Sequence, residues 1–257
     1  MFEVEQKFRL ADPGNFLETL SFMGLHWEKK VVEIDTYFQH PSRDFVQTDE
    51  ALRIRRHLTF LGSESGVLPE RAEAEVLVTF KGPKLDSAAK IRKELELPLS
   101  IAAQLPPERF SGVSIFPDVS ADFSSAEFRG VCPPCDSNES SFSGVSSPRD
   151  LWGLLDTLDE TSSYFSWKEL LELLGFSAVH DVRKVRSKAY WEWEGCRVEI
   201  SFDQIAGLGT YAELEFIARD KSDIPAVRGR LLALSEFLRL TDIEPRSYLA
   251  LVIEAEK

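Results

Sequence analysis

Cysteine is scarce: three residues in 257, an odd number that closes no complete disulfide framework. A chain of this length buries enough surface to need none. No run approaches the roughly 18 consecutive apolar residues of a membrane-spanning helix. Positive charge is in deficit, with 30 Lys and Arg against 43 Asp and Glu and a formal net charge of −13. That balance argues against a nucleic-acid partner, whose phosphate backbone is gripped by clustered cations. The opening MFEVEQKFRL carries carboxylates where a secretory leader carries positive charge, so a soluble, cytoplasmic protein with no membrane partner is expected. The four histidines (His26, His40, His57 and His180) show no HxxxH or HExxH spacing. Cys132-Pro133-Pro134-Cys135 has metal-site spacing but no second pair, and is a weak zinc or redox signal. Gly207-Leu208-Gly209 precedes a strand where a dinucleotide fingerprint needs a helix, so a tight turn is the better account. No internal repeat is visible.

What is present is a chain of short strands, read as one domain over residues 1–257 with two insertions. The first lies at about 61–71. The second, residues 106–148, has 11 Ser, 6 Pro and 3 Gly but no Lys, the composition of a surface excursion. Its five phenylalanines predict that part of it docks on the body. Strands are expected at Phe2–Arg9, Glu33–Phe38, Ala51–His57, Glu75–Lys81, Lys90–Leu97, Val182–Trp193, Cys196–Asp203 and Tyr211–Ala218. Helices are expected from Asp12-Pro13 to about Met23, near Pro148–Leu158, over Ser166–Leu174 and over Ile224–Leu240.

Side chains alternate between faces along a strand. Phe2, Val4 and Phe8 therefore oppose Glu3, Glu5, Lys7 and Arg9, and Leu52 and Ile54 oppose Arg53 and Arg55. Val76, Val78 and Phe80 oppose Thr79 and Lys81; Leu95 and Leu97 oppose Arg92, Glu94 and Glu96. Lys184, Arg186 and Lys188 align, as do Glu199 with Asp203 and Glu213 with Glu215. One such strand is ordinarily the wet face of a half-buried sheet. Repetition over seven strands, with few neutral polar residues on the charged face, points instead to a closed barrel. Its apolar side would be turned out under helices and its lumen ionic. The signs also sort. Glu3, Glu5, Asp203, Glu213 and Glu215 supply hard oxygens for a divalent cation such as Mg²⁺ or Mn²⁺. Lys7, Arg53, Arg55, Lys81, Arg92, Lys184 and Arg186 suit phosphate oxygens. Metal beside polyanion describes a nucleotide or polyphosphate site. Trp191 and Trp193 flank the cationic strand, as packing residues or as a surface for stacking a base.

The opening EVEQK (Glu3 to Lys7) resembles the ExExK signature of the CYTH, or triphosphate tunnel metalloenzyme, superfamily. The similarity continues through IDTYFQHPSRDFVQTDEALRIRR, TFKGPKLD, IRKELEL, VRKVRSKAYW, VEISFDQIAGLGTYAELEF and EPRSYLALV. DQIAGLGTYAELE and EPRSY look most like the CyaB-type class IV adenylate cyclase branch. The resemblance implies an α+β protein whose closed eight-stranded antiparallel tunnel binds a triphosphate, ATP or inorganic triphosphate, with divalent metal. Carried over, Glu3, Glu5, Asp203, Glu213 and Glu215 hold the metal. Lys7, Arg53, Arg55, Lys81, Arg92, Lys184 and Arg186 hold phosphates, and Glu5, Lys7, Lys81 and Arg186 stand closest to the chemistry. The leading expectation is conversion of ATP to cyclic AMP and pyrophosphate. The alternative is hydrolysis of an inorganic or organic triphosphate, with thiamine triphosphate disfavoured by Ala51 where that branch carries tryptophan. From a different class, the lumen could be a non-catalytic receptor for polyphosphate or a phosphorylated ligand. A homodimer is left open.

Overall fold

A computed structural model describes residues 2–62, 69–84, 92–100, 102–110, 113–114, 117, 148–158 and 161–256. Among them, β1 (Phe2–Arg9) leads through α1 (Pro13–Phe22) to β2 (Trp27–Gln39), and α2 (Phe45–Thr48) to β3 (Ala51–Gly62), β4 (Pro69–Lys84), β5 (Arg92–Pro98) and β6 (Ala103–Leu105). Then come α3 (Pro148–Asp156), α4 (Ser163–Leu173), the long β7 (Ser177–Trp193), β8 (Cys196–Ile205), β9 (Gly209–Ala218), α5 (Ile224–Phe237) and α6 (Tyr248–Ala255). Helix starts follow their caps. Asp12 accepts from the Asn15 N–H at 3.0 Å ahead of Pro13, and Ser247 accepts from the Ala250 N–H at 3.2 Å. Gly175, with φ of +89°, stops α4 in a conformation that favours glycine.

All nine strands join one antiparallel sheet, in the order β1-β9-β8-β7-β2-β3-β4-β5 with β6 on β4. The α+β architecture and the outward apolar face are as the alternation predicts. Phe8, Phe202 and Phe216 pack under α1 and α5 with Phe16, Leu20, Leu231 and Leu234. Val32, Ile34, Leu58 and Phe60 pack under α3 with Trp152, Leu154 and Leu155.

The expected closed eight-stranded barrel is met only in part. Nine strands are present, and no ladder joins β1 to β5 among the described residues. The free edge of β1 has another partner: Arg9 N–H donates to the Asp242 carbonyl at 2.8 Å, and Glu244 N–H donates to the Lys7 carbonyl at 2.9 Å. β5 is short, and its register with β4 shifts between Lys81 and Lys84. The sheet nonetheless curls far enough to bring Glu3 on β1 within electrostatic reach of Lys81 on β4 and Glu94 on β5.

The insertion expected at 61–71 is partly strand. Leu61 pairs with Arg71 and Gly62 with Pro69, so β3 and β4 form one long hairpin. In the second insertion Phe110 and Val113 are buried beneath α3, with Phe110 6.0 Å from Phe60 ring to ring. Cys132 and Cys135 lie outside the described residues, as does the side chain of Arg92. The helix read at Ser166–Leu174 begins at Ser163; β6, α2 and α6 were not foreseen.

Candidate active site

The strand registers stack the charged side chains in rows across the concave face. One row runs Glu5, Glu215, Glu199, Tyr190 over β1, β9, β8 and β7. The next runs Lys7, Glu213, Ser201, Lys188, and the next includes Asp203 and Arg186. Further round the sheet Lys184, Glu33, His57 and Glu75 align, then Asp35 with Arg55, then Tyr37, Arg53, Thr79 and Glu96. Lys81 faces Glu94 at 3.0 Å.

The middle of this surface is a web of ion pairs. Asp35 accepts from Arg53 at 2.9 Å and from Arg55 at 2.6 and 2.7 Å. Glu33 lies 2.6 Å from Arg55 and 2.5 Å from Lys184. Arg186 donates to Asp203 and Glu213, and the Tyr248 hydroxyl donates to Asp203 at 2.6 Å. Burial alone would raise the proton affinity of these acids. Their partners win: Arg55, Lys184 and Arg186 hold Glu33 well below the usual carboxylate range, and Arg186 and Lys184 hold Asp203 down. Lys184 is pulled below the ordinary lysine range by burial and by Arg186, against the pull of Glu33.

The row of glutamates behaves differently. Glu215 is pushed up to about 7, by burial first and then by Glu3, Glu199 and Glu5. Glu3 is raised by burial, Glu5 and Glu94. Glu199 is held down, because Lys188 at 2.7 Å and the Tyr190 hydroxyl outweigh its burial. Like charges directly opposite each other in a sheet repel. This row therefore concentrates negative charge on one stretch of the concave face.

The five carboxylates expected to act together are thus placed in two groups: Glu3, Glu5 and Glu215 with the row, and Asp203 and Glu213 on Arg186. Of the expected cations, Arg53, Arg55, Lys184 and Arg186 share the web, Lys7 joins it at its edge, and Lys81 stands with Glu94. Lys7 Nζ donates to the Arg246 carbonyl at 2.5 Å and lies 4.0 Å from the centre of the Tyr248 ring. Sequence reasoning assigned no role to Glu33, Asp35, Tyr37, Glu199 or Tyr248. The alternation in VVEIDTY already puts Glu33, Asp35 and Tyr37 on one face, whereas Tyr248 shows only as the last residue of the EPRSY motif, with nothing to say that it reaches the groove. It arrives because α6 packs Leu251 against Val182, Ile205 and Tyr211.

The whole pattern matches a known family: the CYTH domain profile fits residues 1–248. The chain belongs to the CYTH family. A Methanocaldococcus jannaschii protein named "putative adenylate cyclase" is 25% identical over 253 residues, covering 98% of either chain. Among solved structures, a Pyrococcus horikoshii protein is 28% identical with a TM-score of 0.59, covering 98% of this chain and 99% of its own. A Vibrio parahaemolyticus protein titled "putative adenylate cyclase" superposes with a TM-score of 0.54 at 19% identity, over 99% and 98% of the two chains, and shares the fold. This CYTH chain has no helix among its described residues long and apolar enough to cross a membrane. Its groove carries carboxylate oxygens in one stretch and forked guanidinium donors in another.

Proposed function

We propose that the groove binds a triphosphate together with Mg²⁺ or Mn²⁺, and that its chemistry is that of an adenylate cyclase. One observation carries the reading: a row of mutually repelling glutamates, with Glu215 pushed up to about 7, lies on the same concave face as a fixed set of arginines. A pure anion receptor has no use for that row. Its donor set is all carboxylate oxygen, which fits a hard divalent cation. Among the described residues no three acids are already gathered as a ligand cage, so an arriving ion would draw Glu3, Glu5, Glu199 and Glu215 together. When bound, it would polarise the phosphoryl oxygens as a Lewis acid.

The chain's own residues do the rest. Glu33, Asp35, Asp203 and Glu213 hold the guanidinium groups in place before substrate arrives, so little reorganisation is needed as charge develops. Arg53, Arg55, Lys184 and Arg186 receive the phosphate chain. In the cyclase reaction the ribose 3′-hydroxyl loses its proton to solvent as its oxygen bonds to the α-phosphorus, the bond to the bridging oxygen breaks, and these cations take up the charge of departing pyrophosphate. The curled sheet would serve as the tunnel, with β1 and β5 approaching around the ligand. The name of the M. jannaschii relative supports the cyclase reading.

The test is to incubate the purified protein with ATP, and separately with tripolyphosphate, in Mg²⁺ or Mn²⁺. Cyclic AMP plus pyrophosphate is the expected product of ATP. Orthophosphate alone would replace the cyclase with a triphosphatase, and turnover of neither would sink both.

A further inference from the structure

The acid row ends on an aromatic ring. Tyr190 sits beside Glu199 in the β7–β8 register, on the concave face, and its hydroxyl is bonded to Glu199. The guanidinium carbon of Arg197 lies over the ring, 4.2 Å from its centre, and Lys29 Nζ lies 5.7 Å away. The ring is thus held at its polar tip and over its π-face. Arg197 itself is exposed. A β-bulge between Trp27 and Lys29 shifts the β2–β7 register here and sets Lys29 opposite Lys188; bulges commonly re-aim side chains next to sites. Along β7, Lys184, Arg186, Lys188 and Tyr190 step outward on one face at about 6.6 Å per pair of residues.

We infer that Tyr190 and Arg197 form the nucleobase platform of this groove, a tyrosine–arginine stack against which the base of a nucleoside triphosphate lies while its phosphates rest on Lys184 and Arg186. This rests on the function proposed above and adds to it what distinguishes a nucleotide from a bare triphosphate. The direction follows from order along β7: Lys184 and Arg186 first, then Lys188, then Tyr190, level with the glutamate row and with Arg197 beside it. Both Tyr and Arg present the flat surfaces on which bases stack. Trp191 and Trp193, on the other face of this strand, are spoken for elsewhere. They pack with each other at 5.4 Å, and Trp193 packs with Phe237 of α5, on the opposite side of the sheet.

The experiment measures affinity for a non-hydrolysable ATP analogue and for tripolyphosphate by titration calorimetry with Mg²⁺, in wild type, Arg197→Ser, Tyr190→Leu and Tyr190→Phe, with turnover of ATP and tripolyphosphate followed alongside. The Ser and Leu variants should each weaken the analogue about tenfold. Tripolyphosphate affinity should stay within about twofold. Phe should keep nearly all analogue binding, because the ring remains. Arg197→Ser alters an exposed residue and so reports even if Tyr190→Leu folds poorly. Parallel weakening of both ligands, or of neither, would overturn the inference. A wild type that turns over tripolyphosphate without binding the analogue also overturns it, yet leaves a triphosphate enzyme standing. Selective loss of the analogue in a protein that turns over nothing would keep the platform and discard the catalysis.

Discussion

Two neighbouring stretches of one concave surface treat charge in opposite ways. Around Asp203, Arg186, Glu33 and Arg55 each carboxylate is matched to a guanidinium or ammonium within hydrogen-bond reach, and Asp203 and Glu33 stay ionised despite burial. A few ångströms across the strands, Glu5, Glu215 and Glu199 face one another, and the proton affinity of Glu215 rises to about 7. In the first stretch opposite charges are matched; in the second, negative charge is concentrated, and Lys188 pairs with Glu199 at 2.7 Å. The buried carboxylates of the first stretch should therefore matter for stability as well as for holding the phosphate-binding cations, and the glutamates of the second for binding and turnover alone.

The largest effect should come from breaking the matched stretch. Asp203 is fully buried, and Asp203→Ala leaves Arg186 and Tyr248 without their shared acceptor. Urea denaturation should show a loss of about 3–5 kcal/mol, the usual cost of orphaning one partner of a buried ion pair. A loss below about 1 kcal/mol would erase the distinction between the two stretches.

Next, Glu5→Gln should lower turnover of ATP by about 100-fold or more while leaving the urea midpoint unchanged or higher. Wild-type rates in that variant would remove Glu5 from the site. Third, Mg²⁺ at 100 times its dissociation constant should stabilise the wild type by about 2.7 kcal/mol, and chelation should reverse this. In thermal melts the combined Glu5→Gln, Glu215→Gln variant should lose most of the gain. An undiminished gain would place the ion elsewhere.

The smallest effect is a pH dependence. Glu215 holds its proton more tightly in the folded chain (about 7, against an ordinary 4.5), so without divalent cation the fold loses stability as pH rises through that window. Glu215→Gln should flatten the fall by a few degrees in Tm between pH 5 and 8. Identical pH curves for the two proteins would mean that the row does not repel as described.

Much of this was legible without coordinates. β1 spans Phe2–Arg9 as its alternation predicts, and the charged faces of β3, β7, β8 and β9 point inward together. Period-two patterning is local, and local rules suffice to say which face a side chain takes. Which acid meets which cation was not legible. Asp203 was grouped with Glu3 by type, yet register sets it against Arg186, and register depends on strands far apart in the chain. Glu33 and Asp35 were in view on β2, but a carboxylate beside two arginines becomes a clamp only once β3 pairs residue by residue, Asp35 to Arg55. Closure by hydrogen bonds is not seen among the described residues, and residues 242–244 instead take the end of the β1 edge, a contact across more than two hundred residues of chain.

By itself, then, the amino-acid order determined the strand periodicity, the inward ionic face, the outward apolar face and membership of the CYTH family, since each is written in short-range alternation or in ordered motifs. Tertiary structure alone decided how the carboxylates divide between the arginine clamps and the glutamate row, where Tyr248 enters on α6, and that Tyr190 ends that row. Those outcomes depend on register, curvature and distance between strands, which arise only when remote segments pack against one another.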